Sequence, residues 1–140
     1  MRMADLKAVV AVQNIRYDKQ GETLYIMDQT LLPGQEREIA LTTAEQMVEA
    51  IRALRVRGAP AIGICAAYCM YVLARSIQAE TAEDFLIQLE QYGQTLNSAR
   101  PTAVNLSWAV GQMLKTAREN RGMERTVLLE DLYQKAVDIH

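Results

Sequence analysis

Two short stretches place an arginine just ahead of a helix start, a pairing suited to holding an anion. Arg57-Gly58-Ala59-Pro60 precedes a long apolar run, and Arg100-Pro101-Thr102-Ala103 precedes a periodic one. A helix N-terminus offers backbone N–H groups with no partner inside the helix, together with the positive end of the peptide dipoles. Gly58 lets a ligand approach the main chain, and each guanidinium can add a two-pronged, charge-assisted hydrogen bond. If the two helix starts converge, Arg57, Arg100 and several free donors surround one phosphate-sized group. The residues alone support a second account equally well. Proline suits the first turn of any helix, and both arginines then cap loops or pair with surface carboxylates.

Other combinations carry less. Gly58 and Gly63 have the separation of the glycines in a nucleotide-binding P-loop, but Ile64 and Cys65 stand where that loop needs lysine and a hydroxyl residue, so that loop is dismissed and triphosphate chemistry has no support. Asp28-Gln29-Thr30 reads first as an Asx-type turn at a strand end, and second as a polar trio that could reach a pocket. Asn105 and Trp108 follow Arg100 at one and two helical turns, and are either directed at the same region or spent on cap and core contacts. Cys65 and Cys69 lie four apart in the apolar run, a spacing that holds a disulfide poorly and, without a histidine nearby, falls short of a zinc shell. They read as buried free thiols of a reducing compartment. His140 is the only histidine and is given no catalytic role. No metal-binding set is found and no cofactor is implied.

The elements that must position these residues follow from the patterning. With 140 residues, of which 50% are hydrophobic and 23% charged, one folded domain is expected and disorder is not. Seventeen acidic against fifteen basic side chains give a net charge of -2, which supplies no overall attraction to nucleic acid or an anionic membrane. The start of the chain has no secretory pattern, so a cytoplasmic protein is expected. β-Branched and aromatic residues predict strands over 9–17, 23–28 and 36–41, with a hairpin turn at Asp18–Gly21 and another turn at Leu31–Gly34. Thr42 or Thr43 caps a first helix, with Ala44, Met47, Val48, Ile51 and Leu54 inward. The second begins near Pro60 and is uncharged from Gly58 to Ala74. At the short limit for a bilayer, and with no second span to pack against, it reads as a core helix. Along it Ala59, Gly63 and Ala67 make a stripe on which another backbone can pack. Thr81 with Asp84 opens a third helix, Pro101 separates it from a fourth that Gly122 terminates, and a fifth runs from Glu124. That last helix is still in progress at His140, which predicts a longer parent protein. The expected class is α+β: a small three-stranded antiparallel sheet followed by about five helices around a central apolar one.

Three motifs, taken in order, resemble a known family: Asp28-Gln29-Thr30-Leu31-Leu32-Pro33, Val56-Arg57-Gly58-Ala59-Pro60-Ala61-Ile62-Gly63, and Ala99-Arg100-Pro101-Thr102-Ala103-Val104-Asn105-Leu106-Ser107-Trp108-Ala109. They are similar to the N-terminal part of the methylthioribose-1-phosphate isomerases. That superfamily also includes ribose-1,5-bisphosphate isomerases and the regulatory subunits of translation initiation factor 2B. Ser107 is a departure, since the family often has an aromatic residue there. The resemblance implies that Arg57, Gly58 and Ala59 contact a sugar phosphate and that Arg100 is the second substrate-binding arginine. It implies conversion of 5-methylthioribose 1-phosphate to 5-methylthioribulose 1-phosphate, an aldose-to-ketose step of methionine salvage and so of methionine and amino-acid biosynthesis, by a homodimeric enzyme. The family's catalytic cysteine and aspartate lie in a following Rossmann-like domain, and Cys65 and Cys69 do not match that cysteine's motif. Residues 1–140 are therefore expected to be the substrate-clamping first domain of a two-domain isomerase, inactive alone. The alternatives are a non-catalytic regulatory subunit and a ribose-1,5-bisphosphate isomerase, with the pocket for the group at C5 expected outside this stretch.

Overall fold

A computed structural model describes residues 14–140, so positions 9–13 of the first expected strand lie outside the described residues. The strands are β1 (Ile15–Asp18), β2 (Thr23–Met27) and β3 (Glu38–Leu41), antiparallel in the order β1-β2-β3. Register follows the apolar alternation: Ile15 pairs with Ile26 and Leu24 with Leu41, which places all four on the buried face. The β1–β2 turn falls one residue later than the sequence predicts. Asp18 ends the strand, and its carboxylate accepts hydrogen bonds from the N–H groups of Gln20 and Gly21, leaving Glu22 to take the positive φ of 54°. β3 also begins two residues later than expected, at Glu38.

Five α-helices follow: α1 (Ala44–Arg52), α2 (Ala59–Ser76), α3 (Ala82–Ala99), α4 (Val104–Glu119) and α5 (Arg125–Ile139). Thr43 is the cap of α1, where its hydroxyl accepts from the Gln46 N–H while the Gln46 side chain accepts from the Thr43 N–H. Thr81 accepts from the Asp84 N–H at the start of α3. Gly122, with φ 87°, lies between α4 and α5 as the pattern predicts. The central helix is α2, buried from Ala61 to Tyr71 and packed by α3, α4, α5 and the sheet. By length and composition it could cross a membrane, yet 72% of it is buried inside the fold, the environment of a core helix.

Cys65 and Cys69 are free, buried and 3.9 Å apart, in accord with the reading as core thiols. Their mutual hydrogen bond and their burial raise the Cys69 thiol well above its usual range. The hairpin is anchored to the helices by an aromatic cluster. Tyr17 packs on Tyr68, Tyr71 and Tyr133, accepts a hydrogen bond from Arg75 at 3.0 Å, and Arg75 also pairs with Glu22. His140 belongs to the same cluster through a 2.8 Å hydrogen bond between its Nδ1 and the Tyr68 hydroxyl.

Candidate anion-binding site

The starts of α2 and α4 meet. Gly63, in the second turn of α2, lies so close to α4 that a Cβ at this position would be 3.3 Å from the Asn105 carbonyl oxygen and 3.5 Å from the Asn105 Cβ. Asn105 is the second residue of α4, so the small-residue stripe read from the sequence serves to bring two helix N-termini side by side. Neither start is closed by a side chain: Gly58 caps α2 and Ala103 caps α4, each without a side-chain hydrogen bond. The first-turn N–H groups that Thr43 and Thr81 satisfy elsewhere are therefore left to other partners.

The predicted site residues flank the two helix starts along the chain, Arg57 directly ahead of the Gly58 cap and Arg100 three residues ahead of the Ala103 cap. Arg57, Gly58, Ala59 and Pro60 are exposed and Arg100 is half-buried. Neither guanidinium has a hydrogen bond or ion pair among the described residues, so the expectation that surface carboxylates occupy them is not met there. Arg57 borders a narrow crevice with Met27, Gln29, Val56 and Ala61, which links it to the end of β2. Arg100 ends α3, and its carbonyl accepts from the Ala103 N–H at 3.0 Å, forming the tight turn into α4. Trp108 is not a core residue, being 53% exposed, whereas Asn105 is half-buried against α2.

Gly58 has φ 90° and ψ 136°, a conformation that side-chain-bearing residues rarely adopt, and nothing lies within 4 Å of the position a Cβ would take. The requirement for glycine is thus conformational. Gly58→Ala is expected to lose about 1–3 kcal/mol of stability, read as a lower urea midpoint. An unchanged midpoint would mean that the segment relaxes without cost.

The segment ahead of Arg57 is held by a network that the sequence did not reveal. Asp28 is only 4% exposed, and its Oδ1 accepts from the Thr30 N–H at 3.0 Å and the Thr30 hydroxyl at 2.6 Å, capping a 3₁₀ turn over Gln29–Leu31. This matches the Asx-turn reading of the trio. Arg55 adds a second link: its Nη1 donates to Asp28 Oδ2 at 2.9 Å, and its Nε and Nη2 donate to Glu49. Its carbonyl also accepts from the Gln29 N–H. Burial alone would push the Asp28 carboxyl up, but hydrogen bonds from Thr30 and the Arg55 charge outweigh it and hold the group below the usual carboxylate range. The Arg55 hydrogen bonds likewise lower Glu49. The sequence signal was faint, consisting of a third arginine two residues before Arg57 and six after Glu49.

The fold defines a class first: an α+β domain in which a short antiparallel sheet packs on a helical bundle and two helix N-termini open side by side at one end. The Initiation factor 2 subunit family (IF-2B) matches residues 55–140, and the chain belongs to that family. Among curated relatives, it is 44% identical over 121 residues to the methylthioribose-1-phosphate isomerase of Trichormus variabilis, covering 86% of this chain and 35% of the relative. It is 49% identical over 102 residues to the enzyme of the same name from Symbiobacterium thermophilum, covering 73% and 28% respectively. The chain thus spans about a third of the length of the curated relatives it matches. Among solved structures, the 5-methylthioribose 1-phosphate isomerase of Pyrococcus horikoshii superposes with a TM-score of 0.82 at 32% identity, over 90% of this chain and 35% of that one. The delta subunit of translation initiation factor eIF-2B from A. fulgidus superposes with a TM-score of 0.80 at 30% identity, over 90% and 36%.

Proposed function

We propose that this chain is the N-terminal, substrate-clamping part of a methylthioribose-1-phosphate isomerase, with the phosphate of the sugar held by Arg57, the Gly58–Ala59 backbone and Arg100. The observation that carries the reading is the junction at Gly63 and Asn105, which sets two uncapped helix starts beside two arginines that have no partner among the described residues. The names of the relatives supply the sugar. A phosphate on C1 locks the ring, so isomerisation needs ring opening without a free anomeric hydroxyl. The groups of this chain would grip the phosphate and fix the position of C1 against an acid and a base. The catalytic cysteine and aspartate implied by the family resemblance belong, on this reading, to a second domain of a longer two-domain protein. The finer expectations, a cytoplasmic homodimer acting in methionine salvage, belong to the same proposal.

Calorimetric titration of the chain with 5-methylthioribose 1-phosphate tests it. Arg100→Ala is expected to cost on the order of 2 kcal/mol of binding, about thirtyfold in affinity, because a charge-assisted hydrogen bond in a half-buried place is lost. Equal affinity in the variant would remove Arg100 from the site. A second reading, a non-catalytic regulatory subunit, is favoured by the nearly equal likeness to the eIF-2B delta subunit. No saturable sugar-phosphate binding by the unaltered chain would select it.

A further inference from the structure

Trp108 lies outside the core. The inward residues of α4, Leu106, Ala109, Val110 and Met113, are all nearly or fully buried, but Trp108 is 53% exposed and Val104, one turn before it, is 76% exposed. Among the described residues the indole has no hydrogen bond, stacked ring or cation partner. We propose that Trp108, with Val104 beside it, is the wall that receives the apolar group on C5 of the sugar phosphate. The proposal rests on the reading of the clamp given above.

Helix geometry places the indole there. Asn105 marks the side of α4 that touches α2, and three residues further Trp108 lies about 60° from it around the helix axis, next to that side. A helical side chain leans back toward the N-terminus, so an indole rooted one turn down covers the first turn of α4, next to its free N–H groups. At the neighbouring start of α2, Ala59 and Pro60 are likewise apolar and exposed. A sugar anchored by its phosphate between Arg57 and Arg100 would then extend its other end along this surface. A thioether packs well on an aromatic ring, whereas a second phosphate there would meet indole and valine in place of donors. The sequence alone placed recognition of C5 elsewhere. The exposure of Trp108 assigns part of it to α4.

Trp108 is the only tryptophan of the chain, so its emission reports directly on this wall. Ribose 1-phosphate and 5-methylthioribose 1-phosphate are titrated into the 140-residue chain, with fluorescence and calorimetry read in parallel. The methylthio sugar is expected to bind more tightly and to shift the emission to the blue. Trp108→Ala should reduce the preference for it about two- to tenfold, the range of a sulfur–aromatic contact, while Trp108→Phe keeps most of it. The ratio of the two affinities is the readout. A ratio unchanged in Trp108→Ala, or calorimetric binding of the methylthio sugar with unmoved emission, overturns the proposal while leaving an Arg100-dependent clamp intact. If the unaltered chain binds neither sugar, both the clamp and the wall are wrong.

Discussion

Replacing Gly63 with leucine is expected to force the starts of α2 and α4 apart and to lower stability by about 2–3 kcal/mol. A Cβ alone would already be 3.3 Å from the Asn105 carbonyl oxygen and 3.5 Å from the Asn105 Cβ, atoms held in place by the α4 backbone. Backbone cannot move aside as the end of a flexible side chain can. Gly63→Ala provides the internal control. Alanine gains about 1 kcal/mol of helix propensity over glycine, which offsets most of a displacement of a few tenths of an ångström, so its urea midpoint should stay near that of the unaltered chain. If the contact matters for the ligand as well as for packing, Gly63→Leu should also weaken sugar-phosphate binding in protein kept folded at low temperature. A leucine variant as stable as the alanine one would show that the helix starts are not tightly joined.

The second large effect is expected at Asp28. Its carboxylate satisfies the Thr30 N–H and hydroxyl and one arm of Arg55 in a nearly closed environment, and Asp28→Ala strands all three. Arg55 retains Glu49 and partial access to water, which keeps the cost to about 2–3 kcal/mol, below that of a fully buried broken pair. Asp28→Asn, which keeps an acceptor for Thr30, should lose less. The effect depends on pH with a definite sign. Because the folded state holds the Asp28 carboxyl below its ordinary value near ~3.9, its stabilisation is complete above that pH and is lost as pH falls through the depressed folded value. The gap between the urea midpoints of the unaltered chain and Asp28→Ala, measured from pH 7 to pH 3, should therefore narrow at the acid end. A gap that stays constant would mean that the carboxylate charge contributes nothing.

What could be read from the sequence was local. Thr43 and Thr81 announced their helices because capping is decided by the side chain three residues from its donor, and Gly122 announced an end because positive φ favours glycine. The three strands were legible from their β-branched and aromatic residues, and the misplaced hairpin turn shows where that fails. Asp18 ends the strand and takes the turn's N–H groups itself, and the positive φ falls on Glu22, one residue beyond the expected turn. The proposed clamp was half legible: Arg57 and Arg100 each declared a helix start, but only the Gly63–Asn105 contact, across 42 positions, joins the two starts. Arg55 was missed for the same reason, since its partner Asp28 lies 27 residues away and no periodicity links them. Trp108 stood at a plausible site spacing and an equally plausible core spacing, and only its exposure separates the two.

The apolar α2, uncharged from Ala59 to Ala74, has a consequence for how the chain must be made. Its heaviest packing partners, α4 and α5, are both encoded after it, and 63 positions separate Ser76 from Ile139. At bacterial-to-eukaryotic synthesis rates this leaves the most apolar helix of the protein without its cover for on the order of 3–13 seconds. Before α4 emerges, the sheet and α1 and then α3 are the described elements that can shield it, so the early β-hairpin, pinned to α2 through Tyr17, is expected to guard the nascent helix before it forms part of the finished domain.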